Sequence, residues 1–283
     1  MTTEPLVSAG WLLEHLGDPD VRVVDVRWYL TEPGRGRAEY EAGHILGAAY
    51  MDIDTDLSAP KGSGPGRHPL PSAEAFAAAA GRAGIGADTH VVAYDAAGGA
   101  YAARLWWLLR YFGHARVSLL DGGWQAWQAA GGPVAAGVVL VEPAPFEARP
   151  HPEMVVGAAA VDELRRDPRA LVLDARAAER YEGRVEPIDP RAGHIPGAVS
   201  APFGGNLRPD GTLLGADELR ARYDALGVAG AETVVCYCGS GVTAAHNVLA
   251  LHLAGRDALL YEGSWSDWSS DPARPAATGP ERG

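Results

Sequence analysis

At 283 residues the chain has the length of about two ordinary domains, and 47% hydrophobic against 21% charged residues marks it as globular, with apolar material for real cores. A formal net charge of −12 argues against nucleic acid as a partner, because phosphate binding needs basic patches. An anionic small molecule stays open, since a few arginines focused in one cleft suffice; Lys61 is the only lysine, so nearly every positive charge is a guanidinium.

The first elements are a helix over 8–16 and a short apolar strand, Val21-Arg22-Val23-Val24-Asp25-Val26-Arg27, ending in Asp-x-Arg. A Gly43-His44-Ile45 turn follows. The stretch 56–70, rich in Gly, Pro and Ser, is long for a plain connection and is a candidate contributor to a site. Next come an Ala-rich helix over 73–83, a strand His90-Val91-Val92-Ala93-Tyr94-Asp95, a helix, and a last strand before Trp124 and Trp127. Prolines from Leu140 to Pro152 predict an extended connector.

Beyond the connector the pattern starts again. Leu171-Val172-Leu173-Asp174-Ala175-Arg176 echoes the first strand, and Gly193-His194-Ile195 echoes the turn. Thr233-Val234-Val235-Cys236-Tyr237-Cys238 corresponds to 90–95, and Glu262-Gly263-Ser264-Trp265 with Trp268 to Asp121-Gly122-Gly123-Trp124 with Trp127. Four echoes in one order mean two copies of one domain. Short apolar strands alternating with helices (157–166 and 216–226 in the second copy) predict an α/β fold, each copy a parallel sheet flanked by helices. The expected division is 1–139, a connector over 140–156, and 157–283 with a loosely held tail from about 271.

The two cysteines are the whole thiol inventory. One residue apart, they have poor geometry for a disulfide and lack metal-ligand spacing, so neither a metal nor another cofactor is expected. Cys236 aligns with Ala93 inside a strand and reads as core. Cys238 ends its strand before Gly239-Ser240-Gly241-Val242-Thr243 and a helix that stops at Gly255. Such a loop aims backbone N–H groups at an anion, and thiolates are stabilised at helix N-termini, which makes Cys238 a candidate nucleophile. The start, MTTEPLVSAGWLLEHL, lacks a basic region leading into a long apolar run, and no run approaches ~20 apolar residues. Neither a signal peptide nor a membrane span is expected, and a reducing cytoplasm is the default setting.

With these motifs the chain resembles the tandem-domain rhodanese family of sulfurtransferases from about Val7 to Trp268. Its Cys238-Gly239-Ser240-Gly241-Val242-Thr243 loop is similar to that of the 3-mercaptopyruvate sulfurtransferases, whereas thiosulfate-specific members carry a basic Cys-Arg-Lys-Gly-Val-Thr loop. The resemblance implies two rhodanese-like domains and sulfur transfer from 3-mercaptopyruvate through a persulfide on Cys238 to a thiol, a thioredoxin-like protein or cyanide. Ser240, His68 and Asp54 match the family's proton-handling residues, the latter two supplied by the first domain to a cleft between the domains. Arg180 matches the arginine that holds the substrate carboxylate. A second family arginine follows about nine residues later; Arg191 is the nearest match at a shifted spacing, with Arg184 a weaker one. Gly239, Gly241, Val242 and Thr243 would line the anion site. Asp95 stands where the first copy would need cysteine, leaving one active centre per chain. The rivals are a thiosulfate sulfurtransferase and a persulfide carrier or regulatory module without efficient turnover. Cell-cycle phosphatase loops on related folds are one residue longer and end in arginine, where this chain has Ala244 and Ala245.

Overall fold

The computed structural model describes residues 3–283. They form two compact units, which do not follow the chain as two unbroken blocks. The first takes the chain up to Ala59, then Pro71–His151 and Pro209–Leu213; the second takes Pro60–Leu70, Pro152–Arg208 and Leu214–Gly283.

In the first unit the strands are β1 (Leu6–Val7), β2 (Val21–Asp25), β3 (His44–Ile45), β4 (Ala49–Tyr50), β5 (His90–Tyr94), β6 (Val117–Leu120) and β7 (Val134–Ala135). The helices are α1 (Ala9–His15), α2 (Arg35–Ala42), α3 (Ala73–Arg82), α4 (Ala102–Tyr111) and α5 (Gly123–Ala129). Five strands make a parallel sheet in the order β1-β6-β5-β2-β4, and β3 pairs antiparallel with β7. The central strand β5 is buried along its whole length, as a parallel strand covered on both faces must be. Helix starts follow capping chemistry: the Ser8 and Ser72 hydroxyls accept the N–H groups of Trp11 and Ala75, both at 3.1 Å.

The second unit contains β8 (Val155–Val156), β9 (Ala170–Asp174), β10 (Val199–Ser200), β11 (Thr233–Tyr237) and β12 (Leu259–Tyr261), with α6 (Ala158–Leu164), α7 (Ala178–Tyr181), α8 (Ala216–Ala225), α9 (Ala244–Leu253) and α10 (Ser264–Trp268). Its sheet, also parallel, runs β10-β9-β11-β12-β8, which is the first unit's order strand for strand. Both units are therefore α/β, each a parallel sheet flanked by helices.

The sequence echoes fall on one structural cluster per unit. Arg27 forks onto Asp25 and reaches the Gly43 carbonyl at 2.6 Å; Arg176 forks onto Asp174 and reaches the Gly193 carbonyl at 2.7 Å. Each guanidinium lies 4.7 Å from the ring centroid of a tryptophan, Trp124 or Trp265. The histidines of the two turns are fully buried and stack on Tyr40 and Tyr181. Burial opposes the charge of Arg176, yet the Asp174 carboxylate more than offsets it and raises the pKa. The repeated polar residues are thus the pins that tie strand, turn and last helix together.

One expectation is overturned. The tail from about 271 is not loose: Ala277 exchanges two backbone hydrogen bonds with His194, at 2.9 and 3.0 Å, and Gly279 donates to the Glu182 carbonyl at 2.8 Å. The Trp268 indole N–H also holds the Pro275 carbonyl at 2.7 Å. Backbone pairing, to which a low apolar content is no obstacle, fastens it; the His44–Ala135 pairing does the same in the first unit.

Candidate active site

Strand β11 is apolar because it runs through the middle of its sheet, and it delivers Cys238 at its C-terminal end. Such ends are where parallel α/β sheets present their ligand sites. Cys236, two residues earlier, is fully buried in register with Leu173 and Leu260. Burial pushes its thiol pKa far up, so it stays a protonated core residue. After Cys238 the chain turns through Gly241, whose φ is +79° and whose Cβ position would lie 2.4 Å from the Glu262 carbonyl oxygen; only glycine fits both. Thr243 then leads into α9, buried from Ala244 to Leu251.

The stretch before and at the start of α10 holds the loop from below. Ser264, the only non-glycine residue with positive φ among those described, accepts the Cys238 N–H with its hydroxyl at 3.1 Å. The N–H groups of Trp265 and Ser266 donate to the carbonyls of Cys238 and Gly239, both at 2.9 Å. The Cys238 side chain is thereby fixed at a site where the residue is only 2% exposed.

The segment Pro60–Leu70 belongs to this unit and brings two residues to the loop. The His68 ring nitrogen Nδ1 sits 2.7 Å from the Ser240 hydroxyl, both side chains buried. The Arg67 N–H donates to the Ser266 hydroxyl at 3.0 Å. A Cβ placed on Gly239 would lie 3.3 Å from Arg67 Nη2 and 3.5 Å from Arg180 Nη1, so two guanidiniums flank the residue next to the thiol. Asp189 bridges them, accepting Arg67 Nη1–H at 2.6 Å and Arg180 Nη2–H at 2.9 Å. Glu186 takes a second Arg180 bond at 2.7 Å and reaches Arg176 at 3.3 Å.

Of the residues read from sequence, Cys238, Ser240, His68, Arg180 and the loop residues Gly239, Gly241, Val242 and Thr243 all lie in this one unit. Asp54 belongs to the first unit, where its carboxylate accepts the Trp28 indole N–H at 2.8 Å. Arg191 does not meet the loop as expected. Its guanidinium donates to the backbone carbonyls of Trp268, Ser269, Asp271 and Arg274, at 2.8 to 3.1 Å, and so caps the C-terminal end of α10. Arg184 is a surface residue paired with Glu182. The position nine residues after Arg180 holds Asp189, a carboxylate where the family pattern has its second arginine.

A rhodanese-like domain model matches residues 8–130 and again 157–271. The chain belongs to the rhodanese family. A Pseudomonas aeruginosa rhodanese named as a probable 3-mercaptopyruvate sulfurtransferase is 45% identical over 99% of this chain and 100% of its own length. A Mycobacterium tuberculosis relative that carries a thiosulfate sulfurtransferase name, SseB, is 44% identical over 93% of this chain and 92% of its own. Among solved structures, SseA from Escherichia coli, presented as a 3-mercaptopyruvate sulfurtransferase of the rhodanese fold, matches with a TM-score of 0.83 and 38% identity, covering 93% of this chain and all of that one.

The first rhodanese unit shows what such a loop does with an anion. Asp95, fully buried at the position of Cys238, accepts the backbone N–H groups of Ala97 and Gly99 on one oxygen and of Tyr101 and Ala102 on the other, at 2.7 to 2.9 Å. The first unit's nest is filled by its own carboxylate. Two site features went unread in the sequence, Arg67 and Asp189. Arg67 adjoins His68 inside a segment already singled out for its length, which was the available signal.

Proposed function

We propose that the protein is a 3-mercaptopyruvate sulfurtransferase. The Cys238 thiolate attacks the donor's sulfur, the donor's carbon–sulfur bond breaks, and its electron pair leaves as the enolate of pyruvate. A proton delivered through Ser240 and His68 completes pyruvate. The new persulfide is stabilised by the loop's backbone N–H groups from Gly239 to Thr243 and then passed to a small thiol, a thioredoxin-like protein or cyanide. A reducing cytoplasm, which keeps thiol acceptors available, is the setting that suits this chemistry.

The observation that carries the reading is the 2.7 Å contact between Ser240 Oγ and His68 Nδ1, two residues from a buried thiol on a loop that itself bears no charge. Positive charge reaches this loop from Arg67 and Arg180 outside it, and carboxylates partner both. That balance suits a monoanionic carboxylate better than doubly charged thiosulfate. No helix among the described residues is long and apolar enough to cross a membrane.

Mass spectrometry of protein treated with mercaptopyruvate tests this directly. The expected result is one added sulfur on the Cys238 peptide and pyruvate release, both abolished in Cys238→Ser. An unmodified peptide, or a kcat/KM for thiosulfate above that for mercaptopyruvate, overturns the assignment.

A further inference from the structure

The charged groups around Gly239 are engaged unequally. The Nε and Nη2 groups of Arg180, the edge with which a guanidinium grips a carboxylate in parallel, already donate to Glu186 at 3.3 and 2.7 Å. Only Nη1 of Arg180 is turned to Gly239 without such a partner. Arg67 is the reverse case. Asp189 holds its Nη1 at 2.6 Å, while no hydrogen bond among the described residues engages its Nε–Nη2 edge. The Nε is buried and unpartnered, which is costly for a charged donor unless a ligand completes it, and Nη2 is the atom nearest the Gly239 Cβ position. Asp189, with a side chain 2% exposed, is held in turn by Glu186, which accepts the Asp189 N–H at 3.1 Å, so the Arg67 fork is fixed in place before any substrate arrives.

We infer that Arg67, not Arg180, receives the substrate carboxylate bidentately, and that Asp189 is the positioning residue that presents its fork beside Cys238. Arg180 adds a single donor from the other side of Gly239. This rests on the sulfurtransferase reading, since it assigns the carboxylate of that same donor. It also accounts for the absence of an arginine nine residues after Arg180: the carboxylate there orients an arginine that comes instead from Pro60–Leu70. Three arginines here, Arg67, Arg176 and Arg180, face three carboxylates, Asp174, Glu186 and Asp189, leaving no surplus charge to attract a dianion.

The test uses two readouts on the full chain. In steady state, Arg67→Lys keeps the charge but loses the fork; it should raise the KM for mercaptopyruvate about tenfold or more with kcat within a few-fold, whereas Arg180→Lys should raise it less. Separately, the rates at which iodoacetate and iodoacetamide alkylate Cys238 report the anion affinity of the site whatever the natural donor is. Arg67→Gln should lower the iodoacetate-to-iodoacetamide ratio several-fold, and Arg67→Lys should largely restore it. An unchanged ratio in Arg67→Gln, or a larger KM effect for Arg180→Lys than for Arg67→Lys, overturns the inference. Should the wild type take no sulfur from mercaptopyruvate, the function falls, and the alkylation ratio still decides whether Arg67 is the carboxylate site.

Discussion

Ser240 and His68 are separated by 172 positions in sequence and by 2.7 Å in space. If their contact carries the proton to the leaving enolate, Ser240→Ala and His68→Gln should each lower kcat for pyruvate release by about 10²-fold, within the range of a positioned acid–base group, and the double variant should be little worse than either single one. Stopped-flow or coupled pyruvate assays read this; single variants whose losses multiply in the double would end the relay. The arginines teach a different lesson at the same scale. Arg180, Arg184 and Arg191 are equivalent as letters in a run of charges, yet Arg191 is consumed by four carbonyls and Arg184 lies at the surface. What separates a ligand-binding arginine from a helix cap is which partners fold against it, and those partners, Trp268 to Arg274 for Arg191, stand about 80 residues away.

At the scale of the element, the strand–loop–helix unit occurs twice with opposite fillings. In the first copy the Asp95 carboxylate takes four N–H groups from the loop before α4. Asp95→Ala would strip four buried donors of their acceptor and should destabilise the first unit by about 3 kcal/mol, read as a lowered midpoint in urea unfolding. Asp95→Asn keeps the shape but puts a donor among donors, and should recover only part of the loss. A midpoint unchanged in Asp95→Ala would show that the nest does not depend on an internal anion. The comparison also explains why the repeat could be read so well from sequence. Asp-x-Arg, Gly-His-Ile and the tryptophans recur because each copy must pin the same turn to the same strand, an internal packing need independent of catalysis.

For the whole molecule, pH enters through buried histidines. Burial, reinforced by Arg116, lowers the pKa of His90, and burial lowers that of His114, whose Nε2 lies 2.9 Å from the Thr89 carbonyl. Both are therefore held neutral in the fold, while the unfolded chain takes up protons below about 6.5. Their contribution to stability is complete above that value and is lost as pH falls toward the lowered folded values. The urea midpoint should drop between pH 7.5 and 5.5, and the drop should shrink in His90→Gln/His114→Gln; an equal drop in the variant would place the effect elsewhere. The sequence alone determined the α/β class, the duplication, the single reactive thiol and the loop that carries it, because all four rest on local patterns: periodicity, glycine placement and repeats. It could not determine that Pro60–Leu70 belongs with the second unit, that the tail is fastened to the Gly193-His194 turn, or that Arg67 rather than Arg191 stands beside Gly239. Each of these depends on contacts between segments far apart in the chain, where burial and competition for hydrogen-bond partners, which no local pattern records, choose among residues of identical chemistry.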